Sequence, residues 1–195
     1  AVQPASVPDA EFNAKVQAAT AERQVKVDEK ATEYAEGISG AYEDFGIFIQ
    51  GRMLSNAART AKDGYFFSRR MAEFQQSKVD GLRNQRPQQG MEIDPLTDAE
   101  HMLQTHYRNM EENEVLLAAI RQAWAKIDKI AARELDAREQ ESFAKMVPIF
   151  DISEEAYSTF DNKKNQDYQK RQQQSRAGSQ LAARTLAKTE SHGFI

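Results

Sequence analysis

The sequence contains no cysteine among its 195 residues. This absence excludes disulfide bonds, thiolate metal sites and a cysteine nucleophile. Proline and glycine are scarce, with 5 and 9 residues, so long stretches of chain carry neither of the two strongest helix breakers. No apolar run approaches the roughly 18 residues that a membrane-spanning helix needs. We therefore expect no membrane span.

Polar residues of the helix-favouring type are abundant. Charged residues make up 29% and hydrophobic residues 40% of the chain, and the mean hydropathy is -0.74. A composition rich in Ala, Glu, Gln, Lys and Arg is typical of long helices and coiled coils. Such a chain buries a seam along its helices more easily than a thick core. We predict an all-α fold of long helices with a partial heptad seam, forming an elongated, coiled-coil-like bundle that neighbouring subunits stabilise.

One long stretch, from Asp98 to Met146, contains neither proline nor glycine. It opens with a capping box, Thr97-Asp98-Ala99-Glu100, in which the threonine hydroxyl accepts from a helical N–H and the glutamate reaches back to the cap. It is expected to end at Val147-Pro148, because proline cannot continue the helical hydrogen bonds. We predict one central helix over 97–147, with the other helices laid beside it.

A seven-residue repeat runs through this predicted helix and places apolar residues three and four apart. That spacing puts them on one face, as in a coiled coil. The predicted helix-packing residues are Leu103, Met110, Leu117, Ile120, Trp124 and Ile127. The same seam also contains His106, Asn113 and Glu134. These polar positions argue against a long two-stranded zipper and favour a helix that packs against several neighbours.

Outside the central helix, the organisation follows proline and glycine, which interrupt helices. We predict a flexible arm over 1–8, an N-terminal helical region over 9–84, a linker over 85–96 and a C-terminal helical region over 148–195. No signal peptide is expected in the arm, because it lacks a basic segment followed by an apolar one.

The N-terminal region contains the most apolar stretch of the chain, AYEDFGIFIQGRML over 41–54. Gly37 and Gly40 are predicted to end the helix before it. The helical composition on both sides favours a helix for 41–54, in which its own glycines permit close packing or a kink. A short buried strand and an interfacial membrane-binding helix are the alternatives.

Basic residues are concentrated before the predicted linker and again near the end of the chain. The predicted basic contact patch consists of Arg52, Arg59, Arg69, Arg70, Lys163, Lys164, Lys170 and Arg171. Basic residues interleaved with aromatics such as Phe66 and Phe67 suit a nucleic-acid-binding surface. A solvated helix face beside a packing seam is the alternative interpretation.

Motifs for catalysis and metal binding are missing from the sequence. His101 and His106 are five residues apart, whereas helical positions four apart share a face. No Glu-x-x-His motif of a bundle di-iron site occurs, and no Gly-x-Ser-x-Gly motif or glycine-rich phosphate loop is present. We therefore expect a protein that is not an enzyme and that uses no metal and no cofactor.

Near the end of the chain, residues 183–192 read ARTLAKTESH. This segment resembles a helix motif of the phage Mu F-like minor head proteins, also called head-morphogenesis proteins. The similarity is confined to residues 176–195, and Lys188 stands where that family usually has arginine. The resemblance implies a portal-associated virion component and implies no catalytic residues.

The function we expect is a structural or assembly component of a multi-subunit particle, foremost a phage virion protein associated with the head, portal or tail. Thin apolar stripes and an excess of aromatics favour it, because neighbouring subunits would cover such surfaces. The protein would be assembled in the host cytoplasm as a homo-oligomer or with other subunits. An exported helical filament or tip subunit of a bacterial secretion apparatus is one alternative. A helical nucleic-acid-binding module, whose phosphate contacts would be salt-dependent, is another.

Overall fold

The computed structural model describes residues 8–84 and 94–191, with side chains described over 14–84 except Val16 and over 94–175. These residues form α-helices and no strands, which confirms the predicted all-α class. The helices are α1 (Pro8–Tyr42), α2 (Ile47–Arg83), α3 (Pro95–Glu134), α4 (Ala137–Ala144) and α5 (Glu154–Ser191). The chain divides into two compact units, Ala1–Asp151 and Ile152–Ile195. The first unit contains α1 to α4 and the second contains α5.

Helix α3 is the centre of the first unit, because both α2 and α1 pack along it. Near the end of α2, Leu82 packs in the same cluster as Leu96 at the start of α3. Earlier in α2, Gly64 lies against Asn113 in the middle of α3. The two helices therefore run antiparallel.

The buried face of α2 contains many small residues, and most of its positions are three or four apart. Its buried positions are Gly51, Leu54, Ala58, Ala61, Phe66, Ser68, Ala72, Gln75 and Val79. Small side chains allow two helix axes to approach closely. At Gly51 the space is fully used, because a Cβ atom there would lie 2.9 Å from Cε2 of Phe143.

Helix α1 packs on another face of α3 through alanine and valine. Val27, Ala31 and Ala35 form a buried cluster with Val115 and Ala119. The ion pair between Arg23 and Glu114 extends this contact toward the start of α1. Because successive positions along α1 meet successive positions along α3, these two helices run in the same direction.

The predicted single helix over 97–147 is wrong, because α3 ends at Glu134 and a separate α4 begins at Ala137. Leu135 is extended, with ψ of 142°. The side chain of Asp136 then accepts hydrogen bonds from the backbone N–H groups of Arg138 and Glu139 at 2.9 and 2.8 Å. Glu139 accepts one from the Asp136 N–H at 3.0 Å, which completes a capping box. A cap rather than a proline or glycine therefore interrupts the helix.

The start of α3 also differs from its prediction, because Asp94 and not Thr97 is the N-cap. The Asp94 carboxylate accepts from the Leu96 N–H at 3.2 Å, and Thr97 donates its hydroxyl to the same carboxylate at 3.0 Å. Pro95 takes the first helical position, where its fixed φ suits the helix and its missing N–H costs nothing.

The predicted helix end at Gly37 and Gly40 is wrong as well, since α1 continues to Tyr42. The apolar stretch 41–54 contains the end of α1, a turn, and α2 from Ile47 onward, so the strand alternative is excluded there. Residues 1–7 of the predicted arm and 85–93 of the predicted linker lie outside the described residues.

Candidate assembly interface

The predicted helix-packing residues lie on the inner side of α3. Leu103, Leu117, Ile120, Trp124 and Ile127 are buried, and Met110 is half-buried. Leu103 and Met110 pack with Ala72 and Val79 of α2. The seam is therefore covered to a large extent by the chain's own second helix, and a surface for other subunits must be sought elsewhere.

An aromatic cluster closes the end of this seam. The ring of Trp124 stacks on that of Phe143 from α4, with 5.0 Å between centroids and 15° between planes. The ring of Phe48 meets Phe143 edge-on at 6.1 Å. Just after α4, the Phe150 ring lies 5.1 Å from the guanidinium carbon of Arg121. Helix α4 thus folds back to cap the region between α2 and α3.

Polar side chains interrupt the α2–α3 seam in its middle. Ser68 and Gln75 are buried on α2. On α3, both ring nitrogens of His106 are buried and have no hydrogen-bond partner in the described part of the chain, and the same holds for Oε1 of Gln75. Asn113 is satisfied locally, because its Nδ2 donates to the Asn109 carbonyl at 2.7 Å. Unpartnered buried polar atoms lower stability.

We expect His106→Leu to raise the free energy of unfolding by about 1–2 kcal/mol, because it removes two buried nitrogens that lack partners. Leucine fills a seam position with a similar volume. Chemical denaturation followed by circular dichroism measures the change. His101→Leu, at an exposed position of the same helix, is the control and should leave stability nearly unchanged. A loss of stability in His106→Leu would show that the imidazole has an unseen partner.

The first half of α1 is helical, and no buried position occurs among its described side chains. Every side chain described between Ala14 and Lys26 is exposed. Lys26 donates to Glu22 at 2.8 Å, and this hydrogen bond together with charge attraction lowers the pKa of Glu22 and raises the pKa of Lys26. Exposed pairs of this kind contribute little to helix stability.

Helix α5 forms the second unit by itself. Its first turn is capped by Ser153, whose hydroxyl accepts from the Ala156 N–H at 3.3 Å. All side chains from Tyr168 to Ser175 are exposed. Residues 183–191, which carry most of the minor-head resemblance, continue α5. Their side chains, and His192, lie outside the described residues.

The predicted basic contact patch is distributed over the two units. On α2, Arg52 and Arg59 are exposed, whereas Arg69 and Arg70 are half-buried. Arg69 donates to Glu73 on the same helix at 3.2 Å. The four patch residues on α5 are exposed, and they are Lys163, Lys164, Lys170 and Arg171. The Lys164 ammonium lies 5.2 Å from the Phe160 ring centroid, within cation–π range.

One groove on the first unit was missed by the sequence analysis. It lies where the end of α1, the start of α2 and α3 meet, and encloses about 270 Å³. Its apolar lining includes Ile38, Leu54 and Ile127, with Glu43 and Lys126 also at its edge. Two exposed apolar residues lie in the adjoining segment, Phe45 in the α1–α2 turn and Ile49 in the first turn of α2. Because the lining combines residues 38–54 with residues 123–130 of α3, no local pattern in the sequence could have indicated the groove.

Metal-site geometry is absent from the described side chains, where no three His, Asp or Glu residues converge. Within the same residues, no helix is both long and apolar enough to cross a membrane. No protein-family model, curated protein or solved structure matches this chain. Its function must therefore be inferred from its own surfaces.

Proposed function

We propose that this protein is a structural component of a multi-subunit particle, in which other subunits cover the exposed length of α1. The observation that carries the proposal is the helical stretch from Ala14 to Lys26, whose described side chains are all exposed. Helices in water take most of their stability from packing an apolar face rather than from intrinsic propensity. A helical stretch whose described side chains include no buried position is best explained by a partner that supplies the packing.

Exposed apolar side chains support the same function. On α1, Val25 is 56% and Tyr34 is 52% exposed, and on α2, Phe67 and Phe74 are 55% and 61% exposed. Single exposed apolar residues are ordinary, but several large ones along long helices favour burial against neighbours. The segment 183–192, with its resemblance to phage minor head proteins, supports a virion as the particle.

We expect light scattering to give a mass in solution above the 22.1 kDa of one chain, either for the protein alone or once its companion subunits are added. Hydrogen exchange should show residues 14–26 protected only in the assembled form, because the packing comes from the partner. A monomer in which these residues are already strongly protected would overturn the proposal.

Capsid and portal genes beside its gene would support a virion, whereas secretion genes would support the alternative particle.

A further inference from the structure

The turn between α1 and α2 carries a partly exposed aromatic side chain, that of Phe45, on an ordered backbone. The N–H of Phe45 donates to the Tyr42 carbonyl at 3.0 Å. Nε2 of Gln50 donates to the Phe45 carbonyl at 2.6 Å. The backbone of Phe45 is thereby fixed from both sides, while its side chain is 45% exposed. A projection that is already ordered loses little conformational entropy when it binds.

The groove described above lies next to this projection. Its lining is mainly apolar, from Ile38 of α1, Leu54 of α2, and Ile127 and Ile130 of α3. Its volume of about 270 Å³ is slightly below the range of roughly 300–1,000 Å³ that is usual for small-molecule pockets. A protein side chain is therefore a more suitable occupant than a cofactor-sized ligand.

Charges of opposite sign line the groove on different elements. Glu43 belongs to the turn and Lys126 to α3, and both are exposed. Neither forms an ion pair with any other residue of the described chain. A neighbouring molecule that presents a cation near Glu43 and an anion near Lys126 would match this arrangement.

We propose that the groove binds the Phe45 turn of a second copy of this chain, in a two-fold symmetric contact. This inference rests on the proposed function and names one partner in it. The chain carries both a projection and an adjacent groove, and both an unpaired acid and an unpaired base. A two-fold interface requires such self-complementarity, because each surface patch meets an identical patch. In that contact Glu43 of each copy faces Lys126 of the other.

Charge reversal tests the proposal by analytical ultracentrifugation. Glu43→Lys and Lys126→Glu should each weaken self-association by about tenfold or more, since each places like charges together. An equimolar mixture of the two variants should restore the association as a heterodimer. In this heterodimer the two substituted side chains face each other with opposite charges, and the native Glu43 of one copy faces the native Lys126 of the other. The double variant should also self-associate. The exposed pair Glu141 and Lys145 on α4, 3.0 Å apart, supplies the control reversal, which should change nothing.

Phe45→Ala tests the projection itself and should also weaken self-association by about tenfold, in keeping with loss of a buried aromatic anchor. Tyr107→Ala removes a comparably exposed ring, 46% exposed, from α3 and should have no such effect. Circular dichroism should show that every variant keeps its helices, because all the substituted residues are exposed.

Self-association that none of these variants alters would overturn the groove contact and leave the proposed function intact. A chain that stays monomeric at all concentrations, with residues 14–26 unprotected, would also overturn a second copy as the partner. In that case the proposed function would still stand, with different subunits as partners. Only a monomer whose residues 14–26 are strongly protected would contradict the proposed function itself.

Discussion

Substitution of Trp124 by alanine is expected to lower the free energy of unfolding by about 3–5 kcal/mol. Trp124 is only 7% exposed and stacks on Phe143 at 5.0 Å. The truncation would remove the aromatic contact and leave a cavity between α3 and α4. Phe143 would also lose the surface that holds it against Gly51, so the docking of α4 should weaken with the core.

Chemical denaturation followed by circular dichroism measures this loss. Fluorescence is unsuitable because Trp124 is the only tryptophan in the chain. The control is Tyr107→Ala, which removes a large aromatic from an exposed position of the same helix, where it is 46% exposed. That change should cost less than about 1 kcal/mol, as surface substitutions usually do. If both variants lost the same stability, Trp124 would not be a core residue.

Ala31→Asp is expected to release α1 from α3 at a cost of about 2–4 kcal/mol. Ala31 is 0% exposed and lies among Val27, Ala35, Val115 and Ala119. A carboxylate in this apolar cluster would lose its hydration and gain no partner. The packed helices cannot make room for it without separating.

Hydrogen exchange resolves which helix is released. Backbone amides of residues 27–42 should exchange faster in Ala31→Asp, while those of 103–127 in α3 should remain protected by α2. Ala21→Asp, at an exposed position of α1, introduces the same residue with the same change in helix propensity and should leave both segments as they are. Equal effects of the two substitutions would mean that the α1–α3 cluster does not hold α1 in place.

The helical class and the inner face of α3 could be predicted because they depend on periodic large apolar residues. The spacing of Leu117, Ile120 and Trp124 is visible in the sequence and is matched by their burial. The partner face on α2 gave no comparable signal. Its contacts are made by residues such as Ala58, Ala61 and Ser68, which are common on solvated helices as well.

Two of the mispredicted helix boundaries arise because several candidate caps compete locally. Asp94 and Thr97 both fit an N-cap, and Pro95 decides in favour of Asp94. The pattern Asp136-Ala-Arg-Glu139 resembles Thr97-Asp-Ala-Glu100, yet it lies inside a stretch without proline or glycine. The packing of Phe143 on Trp124 stabilises the break between α3 and α4. The groove beside Phe45 brings residues 38–54 together with residues 123–130 of α3, so it could be recognised only in the folded chain.

The order of α1, α2 and α3 along the chain also has a consequence for folding. The ion pair between Arg83 and Glu100 spans 17 residues, whereas that between Arg23 and Glu114 spans 91. Closing the longer loop costs about 1.5 kcal/mol more in chain entropy. The α2–α3 hairpin can therefore form from local contacts, and α1 docks onto it at a greater entropic cost. During unfolding, the detachment of α1 from α3 opens the longer loop and therefore regains more chain entropy than the separation of α2 from α3.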